Sequence, residues 1–481
     1  MKNNQIAFSD KINDYLILLF GKENAEKYLE YIKQDSRTFI RVNPLKADIH
    51  KLRKTLFETY QITAEPILNI ENGFCVEDPN RLLGKTIEHI LGEYYIQSLS
   101  SMIPAIVLNP RPGETVLDLC SAPGSKSTQL AEMMNNSGRL IVNEVQLDRV
   151  KTLVFNLDRM NIINTGVIHS KGELLSKSFN NYFDKILVDA PCSGLGIMQK
   201  KGEVSSWWSQ QKVESLSEVQ YKLLVSAIKM LKEGGELVYS TCTMTVEENE
   251  MVIDKLLSKY PIELIPIILP VKSIDGKTDF GDLTFNKSLS LSKRIIPWEI
   301  NSEGFFIVKL KKIGEIESKP FHERKSRGIQ FVSNKELRQY FTILESIYGI
   351  DKSRFEDYLY IKKGNDIFFT SKDWKNETDD FYERIGTKFG TIDKHNTVIL
   401  HTQAAHIFQG EITKSKYTLA DNSELKKYLE GGTIKISPPF IGQGVVYWKD
   451  SLLGSASFSS EGIKSRFPRS KRTQEIHTDF V

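Results

Sequence analysis

Five apolar runs punctuate the middle of the chain: ETVLDLC (114–120), RLIVNEV (139–145), TGVIHS (165–170), DKILVDAP (184–191) and GELVYSTC (235–242). Between them lie stretches with apolar residues at helical spacing, among them KSTQLAEMM and EVQYKLLVSAIKMLKE. Strands that alternate with helices predict a parallel sheet covered on both faces, the doubly wound α/β class. Ahead of this region, residues 8–33 carry apolar positions at helical spacing (INDYLILLF, AEKYLEYIKQ). FIRVNPLK (39–46) reads as a strand broken by Pro44, and LRKTLFETY (52–60) as another helix. These elements predict a small α+β unit over residues 1–95, followed by the α/β region over 96–312. The charged stretch KKIGEIESKPFHERKSRG marks the next boundary, and residues 313–395 form a mixed connector. From 396 to 481, short strands such as TIKIS and GVVYWKD, with Gly-rich turns EGG and GQG, predict a small β-rich domain.

The totals agree with several domains. A chain of 481 residues is too long for one compact core and suits about three. No run of about 20 apolar residues is present, so a membrane-spanning helix is not expected. The N-terminal MKNNQIAFSDKINDYLILLF carries acids through its apolar part and lacks a small-residue cleavage site, which predicts a cytoplasmic protein. The net charge of +3 says little about partners, but its distribution says more. KSRFPRSKR (464–472) contains five basic residues and no acid, and HERKSR (322–327) resembles a charged linker. The four cysteines, Cys75, Cys120, Cys192 and Cys242, are scattered, with no Cys-x-x-Cys pair. That pattern argues against a disulfide framework and against a zinc site, and no metal is expected.

Cys120, Glu144, Asp189, Cys192 and Cys242 all fall at predicted strand ends, where doubly wound sheets bind ligands. The loop in VLDLCSAPGSKSTQLAEMM has one glycine, Gly124, where a dinucleotide cradle would want three. A ligand without a phosphate, such as S-adenosylmethionine, needs fewer. Glu144 ends the next strand, at the spacing from which a carboxylate takes ribose hydroxyls; a tight turn plus a surface Glu is the plainer alternative.

In VDAPCSGLG (188–196) a cysteine follows the proline of the fourth strand end, a position where amino-group methyltransferases often carry an aromatic residue. Carbon 5 of cytosine is too poor a nucleophile to accept a methyl group unaided. A thiolate that adds to carbon 6 makes an enamine whose carbon 5 can attack. A carboxyl at Asp189 could hold the proton near N3 that helps this addition, and a second thiol could assist release. Cys242, in YSTCTMTVEENE (239–250), closes the fifth strand close to Cys192 in the sheet. Buried free cysteines usually serve as small apolar residues. Two at adjoining strand ends beside an acid read as chemistry. Thr245 and Glu248 have the spacing of a capping box at the start of the helix through MVIDKLLSKY. The acids there would raise a thiol pKa, so the thiolate needs a positive neighbour, for which the sulfonium of a bound cofactor and Lys126 are candidates.

DLCSAPGSKST, VDAPCSGLG and YSTCTMTVEENE, preceded by RVNPLK and YYIQSLSSM, together resemble the Nol/Nop/Sun family of RNA 5-methylcytosine methyltransferases, over residues 36–310. The resemblance implies a Rossmann-like class I core, S-adenosylmethionine as donor and cytosine in RNA as acceptor. It implies Cys242 as the nucleophile, Cys192 as the residue assisting product release and Asp189 as the acid beside it. It further implies cofactor contacts from Cys120, Ser121, Ala122, Pro123, Gly124, Ser125, Lys126, Glu144, Arg149 and Asp189.

Two departures stand out. Ser170 and Lys171 occupy the third strand end, where the family usually has Asp, and QKKGE (199–203) replaces an Arg-Lys-x-Pro-acid run. The tail looks like the PUA-like C-terminal domain of RsmF-type enzymes, which act on small-subunit ribosomal RNA; a transfer RNA substrate is the alternative. That likeness makes Lys464, Arg466, Arg469, Lys471 and Arg472 candidate phosphate contacts. Trp207 and Trp208 are candidates either for stacking on a base or for helix packing. A non-catalytic RNA-binding assembly factor is the reading of another class, and a monomer is expected.

Overall fold

The computed structural model describes residues 10–200, 208–316, 331–374, 382–472 and 474–478. Trp207, residues 201–203 of the QKKGE segment and the basic stretch 322–327 lie outside the described residues.

The N-terminal pattern yields two helices, α1 (Asp10–Phe20) and α2 (Lys22–Tyr31), separated at Gly21. Next come β1 (Thr38–Val42), α3 (Ile49–Tyr60), β2 (Thr63–Ile67), β3 (Ile70–Glu77), the short α4 (Ile87–Leu91) and β4 (Tyr94–Ile96). The four strands form an antiparallel sheet in the order β2-β3-β1-β4, against which α3 packs Leu52, Leu56 and Tyr60. Asp48 caps α3 by accepting from the Lys51 N–H at 2.8 Å. The helices α1 and α2 do not join this small sheet. Ile12, Leu16 and Tyr28 are fully buried in the core of the large sheet instead.

That large sheet begins after α5 (Leu99–Leu108). β5 (Thr115–Asp118), α6 (Ser125–Met133), β6 (Arg139–Glu144), α7 (Leu147–Arg159), β7 (Thr165–His169), β8 (Phe183–Asp189), the helix Gln210–Met230 and β9 (Leu231–Thr241) follow in turn. The parallel strands lie in the order β7-β6-β5-β8-β9, so the order reverses between β5 and β8. Such a reversal opens a crevice at the carboxyl ends of the strands. Val116, Leu117, Leu140, Ile141, Ile186, Leu187 and Val188 are completely buried. They form near-continuous apolar runs because helices cover both faces. α5, α6 and α7 cover one face, and the helices Gln210–Met230 and Glu250–Leu257 cover the other. The strand Phe305–Lys312 extends the sheet antiparallel to β9, with Thr241 opposite Phe306. The fold is a Rossmann-like α/β core.

At the opposite edge, Tyr382–Ile385 pairs with β7, so the segment assigned as connector contributes a strand to the core sheet. Two five-stranded sheets make up the rest of the C-terminal part. The expected strand TIKIS is reduced to Thr433–Ile434. Pro438 and Pro439 follow it and have no N–H to donate to a ladder.

One buried cation fastens the N-terminal sheet to the core. Arg41, on β1, pairs with Glu132 of α6 through Nε and Nη2 at 2.8 and 2.9 Å. It also donates to Thr128 Oγ1 at 2.8 Å, to the Ser125 carbonyl at 2.9 Å and to Gln97. Both charges are nearly inaccessible to water. Arg41→Met is expected to cost about 3–5 kcal/mol in urea unfolding, because it strands the Glu132 charge; Arg41→Met with Glu132→Met should recover most of it.

Candidate active site

Three segments converge at the carboxyl edge of the sheet. The first is the loop between β5 and α6. Its backbone is tied down by Leu119 N–H to the Leu187 carbonyl and by Ser121 N–H to the Asn143 carbonyl, both 2.9 Å. The Ser121 hydroxyl accepts from the Asn143 N–H at 3.0 Å. Gly124 has φ +107°, and a Cβ there would come within 3.1 Å of Leu153. Glycine is therefore required by the turn itself. At the end of β6, Glu144 is buried, accepts from the Gln146 N–H at 2.9 Å and pairs with Arg149 at 3.2 Å. Arg149 also donates to the Ala122 carbonyl, which closes the loop onto α7.

The second and third segments carry the thiols. Cys192 lies just beyond β8 and Cys242 just beyond β9, and their sulfurs are 3.2 Å apart. Asp189, the last residue of β8, accepts from Lys126 Nζ at 2.7 Å and from Ser240 Oγ at 2.7 Å. Lys126 Nζ also donates to Ser101 Oγ at 2.9 Å. Burial pulls the Lys126 ammonium down, but the adjoining Asp189 carboxylate outweighs it and holds its pKa above the usual range. The site thus keeps a full positive charge beside the thiols. The Cys192 thiol is pushed up by its hydrogen bond with Cys242, by burial and by the Cys242 and Glu248 charges, so it stays protonated. The Cys120 thiol is likewise pushed up, chiefly by burial.

A cavity of about 660 Å³ runs from Glu144 and Arg149, past Cys120, Ala122 and Asp189, to Cys192 and Cys242. Of the expected cofactor residues, Ser121, Pro123, Gly124, Ser125 and Lys126 do not line it. They shape it from behind: the Pro123 carbonyl accepts from Asn156 at 2.8 Å, and the Ser125 carbonyl accepts from Arg41. Sequence reasoning missed Asn143, Gln146, Gly172, Glu173, Val219 and Leu223, which do line the cavity. Glu173 is the informative one. It stands two residues past Lys171, where a carboxylate was expected and not found. Its position just beyond the third strand end was the available signal.

Each acid after Cys242 has a hydrogen-bond or ion-pair partner of its own. Glu247 accepts from Tyr15 of α1 at 2.5 Å, Glu250 pairs with Arg294, and Glu248 binds Ser193, Thr245 and Gln220. The expected capping box does not form. Thr245 donates its hydroxyl to the Glu248 carboxylate at 2.7 Å, and the helix starts only at Glu250. Buried donors around Glu248 outcompete the helix end for its oxygens.

The N-terminal helices brace both loops. The Val246 N–H donates to Tyr15 Oη at 2.9 Å. Tyr28 donates to the Leu195 carbonyl, and Tyr31 to the Ser302 carbonyl at 2.7 Å. Trp208 packs on Tyr15 with ring centroids 5.6 Å apart, in the buried core.

In the tail, Lys464 and Arg469 are exposed and Arg466 is half-buried. Arg472, also half-buried, donates to the Phe467 carbonyl at 2.8 Å. The expectation for Lys471 is corrected: it is 2% exposed, and burial together with the Lys46 and Arg159 charges drives its pKa well down. It cannot meet a phosphate in this arrangement. Among the described residues no group of three His, Cys, Asp or Glu side chains is placed to hold a metal ion, and no helix is long and apolar enough to cross a membrane.

Residues 105–311 match the family described as 16S rRNA methyltransferase RsmB/F, and residues 7–99 match the N-terminal domain of 16S rRNA methyltransferase RsmF. Ribosomal RNA small subunit methyltransferase F of Shewanella piezotolerans is 31% identical, over 92% of this chain and 93% of its own length. The tRNA (cytosine(49)-C(5))-methyltransferase of Pyrococcus abyssi is 36% identical over 63% of this chain and 97% of its own. The 26S rRNA (cytosine-C(5))-methyltransferase nsun-1 of Caenorhabditis elegans is 39% identical over 63% of this chain; the match spans 46% of that longer relative. Among solved structures, a methyltransferase homolog protein from Pyrococcus horikoshii superposes with a TM-score of 0.58. It shares 31% identity, over 64% of this chain and 96% of that one.

Asp118, at the end of β5, is wholly buried; its Oδ2 accepts from Ser127 at 2.7 Å and its Oδ1 is unpaired. Burial pushes its pKa up to about 7. A carboxyl whose pKa is raised by folding contributes stability that is present at low pH and lost as pH rises through the folded value. Asp118→Asn is therefore expected to gain stability relative to the wild type between pH 5 and pH 8. Urea midpoints of both proteins at the two pH values give that difference.

Proposed function

The chain belongs to the 16S rRNA methyltransferase RsmB/F family, and on that premise we propose that it methylates carbon 5 of cytosine in small-subunit ribosomal RNA, with S-adenosylmethionine as the donor. The observation that carries this reading is the 3.2 Å contact between Cys192 and Cys242 at the end of one cavity, beside Asp189. The tail supports the ribosomal substrate. The Shewanella relative aligns over 92% of the chain, whereas the Pyrococcus transfer RNA enzyme aligns over 63%.

The cavity suits the donor. It has a buried carboxylate at Glu144 for hydroxyl groups, and Leu119, Val219 and Leu223 as an apolar lining for a flat ring. The Asn143 Oδ1, buried and unpaired, lies in a residue that lines it. Glu173 supplies the carboxylate that Ser170 and Lys171 do not. Bound there, the donor supplies an electrophilic methyl group.

The protein's own groups do the rest. Cys242, as the thiolate, adds to carbon 6 of the cytosine and leaves carbon 5 electron-rich. Lys126 provides the positive field for that thiolate. Asp189, fixed by Lys126 and Ser240, holds the proton near N3 that favours addition. Cys192 retains its proton and assists the release of Cys242 as the thiolate. The N-terminal unit (1–95) and the C-terminal domain (396–481) grip the flanking RNA, the latter through Lys464, Arg466, Arg469 and Arg472.

Cys242→Ala is expected to abolish 5-methylcytosine formation, read by bisulfite sequencing of ribosomal and transfer RNA from a deletion strain carrying the variant. Methylation at the wild-type rate would refute the nucleophile, and loss of the mark from transfer RNA alone would refute the ribosomal substrate. Cys192→Ala should leave a protein–RNA adduct that survives denaturing electrophoresis. For Lys464→Glu with Arg469→Glu, RNA binding should weaken, and the slope of log affinity against log salt should fall by about 0.7 per lost phosphate contact.

A further inference from the structure

The two thiols are held by different means. Cys242 follows directly on β9, whose register is locked on both sides, with Asp189 opposite Ser240 and Phe306 opposite Thr241. Cys192 sits in an irregular loop between β8 and a short turn at Leu195–Ile197. Backbone pairing does not fix that loop along its length. Backbone bonds hold its two ends, Ala190 N–H to the Ser240 carbonyl and Gly196 N–H to the Cys242 carbonyl; between them its position depends on side-chain contacts, several of which converge on one carboxylate.

Glu248 is completely buried, and its two oxygens accept four hydrogen bonds. Oε1 accepts from the Ser193 N–H at 2.8 Å and from Gln220 Nε2 at 2.9 Å. Oε2 accepts from the Ser193 hydroxyl and from Thr245 Oγ1 at 2.7 Å. Gln220 Nε2 also donates to the Pro191 carbonyl at 2.9 Å. Cys192 is thus flanked by two residues, Pro191 and Ser193, that are both tied to this centre. The backbone also joins the loops: the Gly196 N–H donates to the Cys242 carbonyl at 3.0 Å. That approach is so close that a Cβ on Gly196 would lie 2.8 Å from the same oxygen. A carboxylate saturated by four donors drawn from three segments is a rigid node.

We propose that Glu248 is a positioning residue that holds the Cys192 loop against Cys242 and so governs release of the methylated base rather than the initial attack. This rests on the methyltransferase reading of the site. After methylation, carbon 6 is still bonded to the Cys242 sulfur, and carbon 5 carries both the new methyl group and a hydrogen. When that hydrogen leaves as a proton to solvent, its bonding pair forms the carbon 5–carbon 6 double bond as the sulfur–carbon 6 bond breaks, and the pair of that bond goes to the Cys242 sulfur. The Cys192 S–H, 3.2 Å away and kept protonated, donates a hydrogen bond to the departing thiolate and keeps its own proton. The Glu248 charge near Cys192 favours this protonated form. Attack runs through Cys242, which the sheet positions, with Lys126 and Asp189; Glu248 hydrogen-bonds none of the three, so attack proceeds without it.

The test compares wild type with Glu248→Gln on RNA carrying the target cytosine and labelled S-adenosylmethionine. A single-turnover burst reads methyl transfer, and denaturing electrophoresis reads the fraction of protein held as adduct. The burst rate should stay within about twofold of wild type, while steady-state turnover falls roughly tenfold and the adduct fraction rises. Ser193→Ala, which removes one of the four donors, should shift both readings the same way by less. Equal losses in burst and turnover without added adduct, in a variant that melts like the wild type, overturn the proposal. If Glu248→Gln does not fold, Ser193→Ala decides alone: more adduct supports the proposal, and unchanged adduct overturns it. A wild-type protein that forms no 5-methylcytosine overturns the methyltransferase reading itself, a result distinct from a missing split between the two rates.

Discussion

The Lys126–Asp189 ion pair is the contact around which the site is built. Lys126 belongs to α6 and Asp189 to the end of β8, so the pair spans the crevice where the strand order reverses. The ammonium also reaches Ser101 of α5 and lies 5.2 Å from the centre of the Phe305 ring. A buried charge without its partner is costly, which makes the pair strict about the distance between those elements. The same pair serves chemistry. It keeps a cation near the thiols and leaves Asp189 oriented by two donors toward the cavity.

The second constraint is the packing of α1 and α2 against the core sheet instead of the small N-terminal sheet. Through Tyr15 and Tyr28 these helices grip the backbones of both cysteine loops, and through Tyr31 the Ser302 carbonyl. The N-terminal region is attached to the core through Tyr15, Tyr28 and Arg41, and also through Arg159 of α7, which donates to the His89 and Tyr94 carbonyls at 2.7 and 3.0 Å. The first three end on segments that shape the cavity, since Arg41 binds the Ser125 carbonyl at the start of α6. Loops that carry catalytic groups need such rigid backing, because small displacements of reacting atoms cost large factors in rate.

Electrostatics separates two cysteines that look alike in sequence. The acids of VEENE raised the question of how Cys242 could ionise among them. In the folded chain each has a partner elsewhere: Tyr15 for Glu247, Ser193, Thr245 and Gln220 for Glu248, and Arg294 for Glu250. The Cys192 thiol is pushed up by its hydrogen bond with Cys242, by burial and by the Cys242 and Glu248 charges.

The amino-acid sequence by itself determined the strand and helix order of the core, because apolar period and turn residues are local properties. It also placed Cys120, Glu144, Asp189, Cys192 and Cys242 at strand ends, and the parallel topology then brought them to one edge. It failed where long-range packing decided the outcome. Glu248 reads locally as a helix cap, but buried donors from the Cys192 loop and the helix Gln210–Met230 claim its oxygens. Lys471 reads as part of a solvated basic run, yet the short turn at Arg469–Arg472 rotates it into the interior. Glu173 has no pattern of its own and acquires meaning only as a wall of the cavity. Tertiary structure alone set the 3.2 Å between the two sulfurs and the direction in which each acid faces. Those depend on residues 50 or more positions apart, and no local preference encodes such a distance.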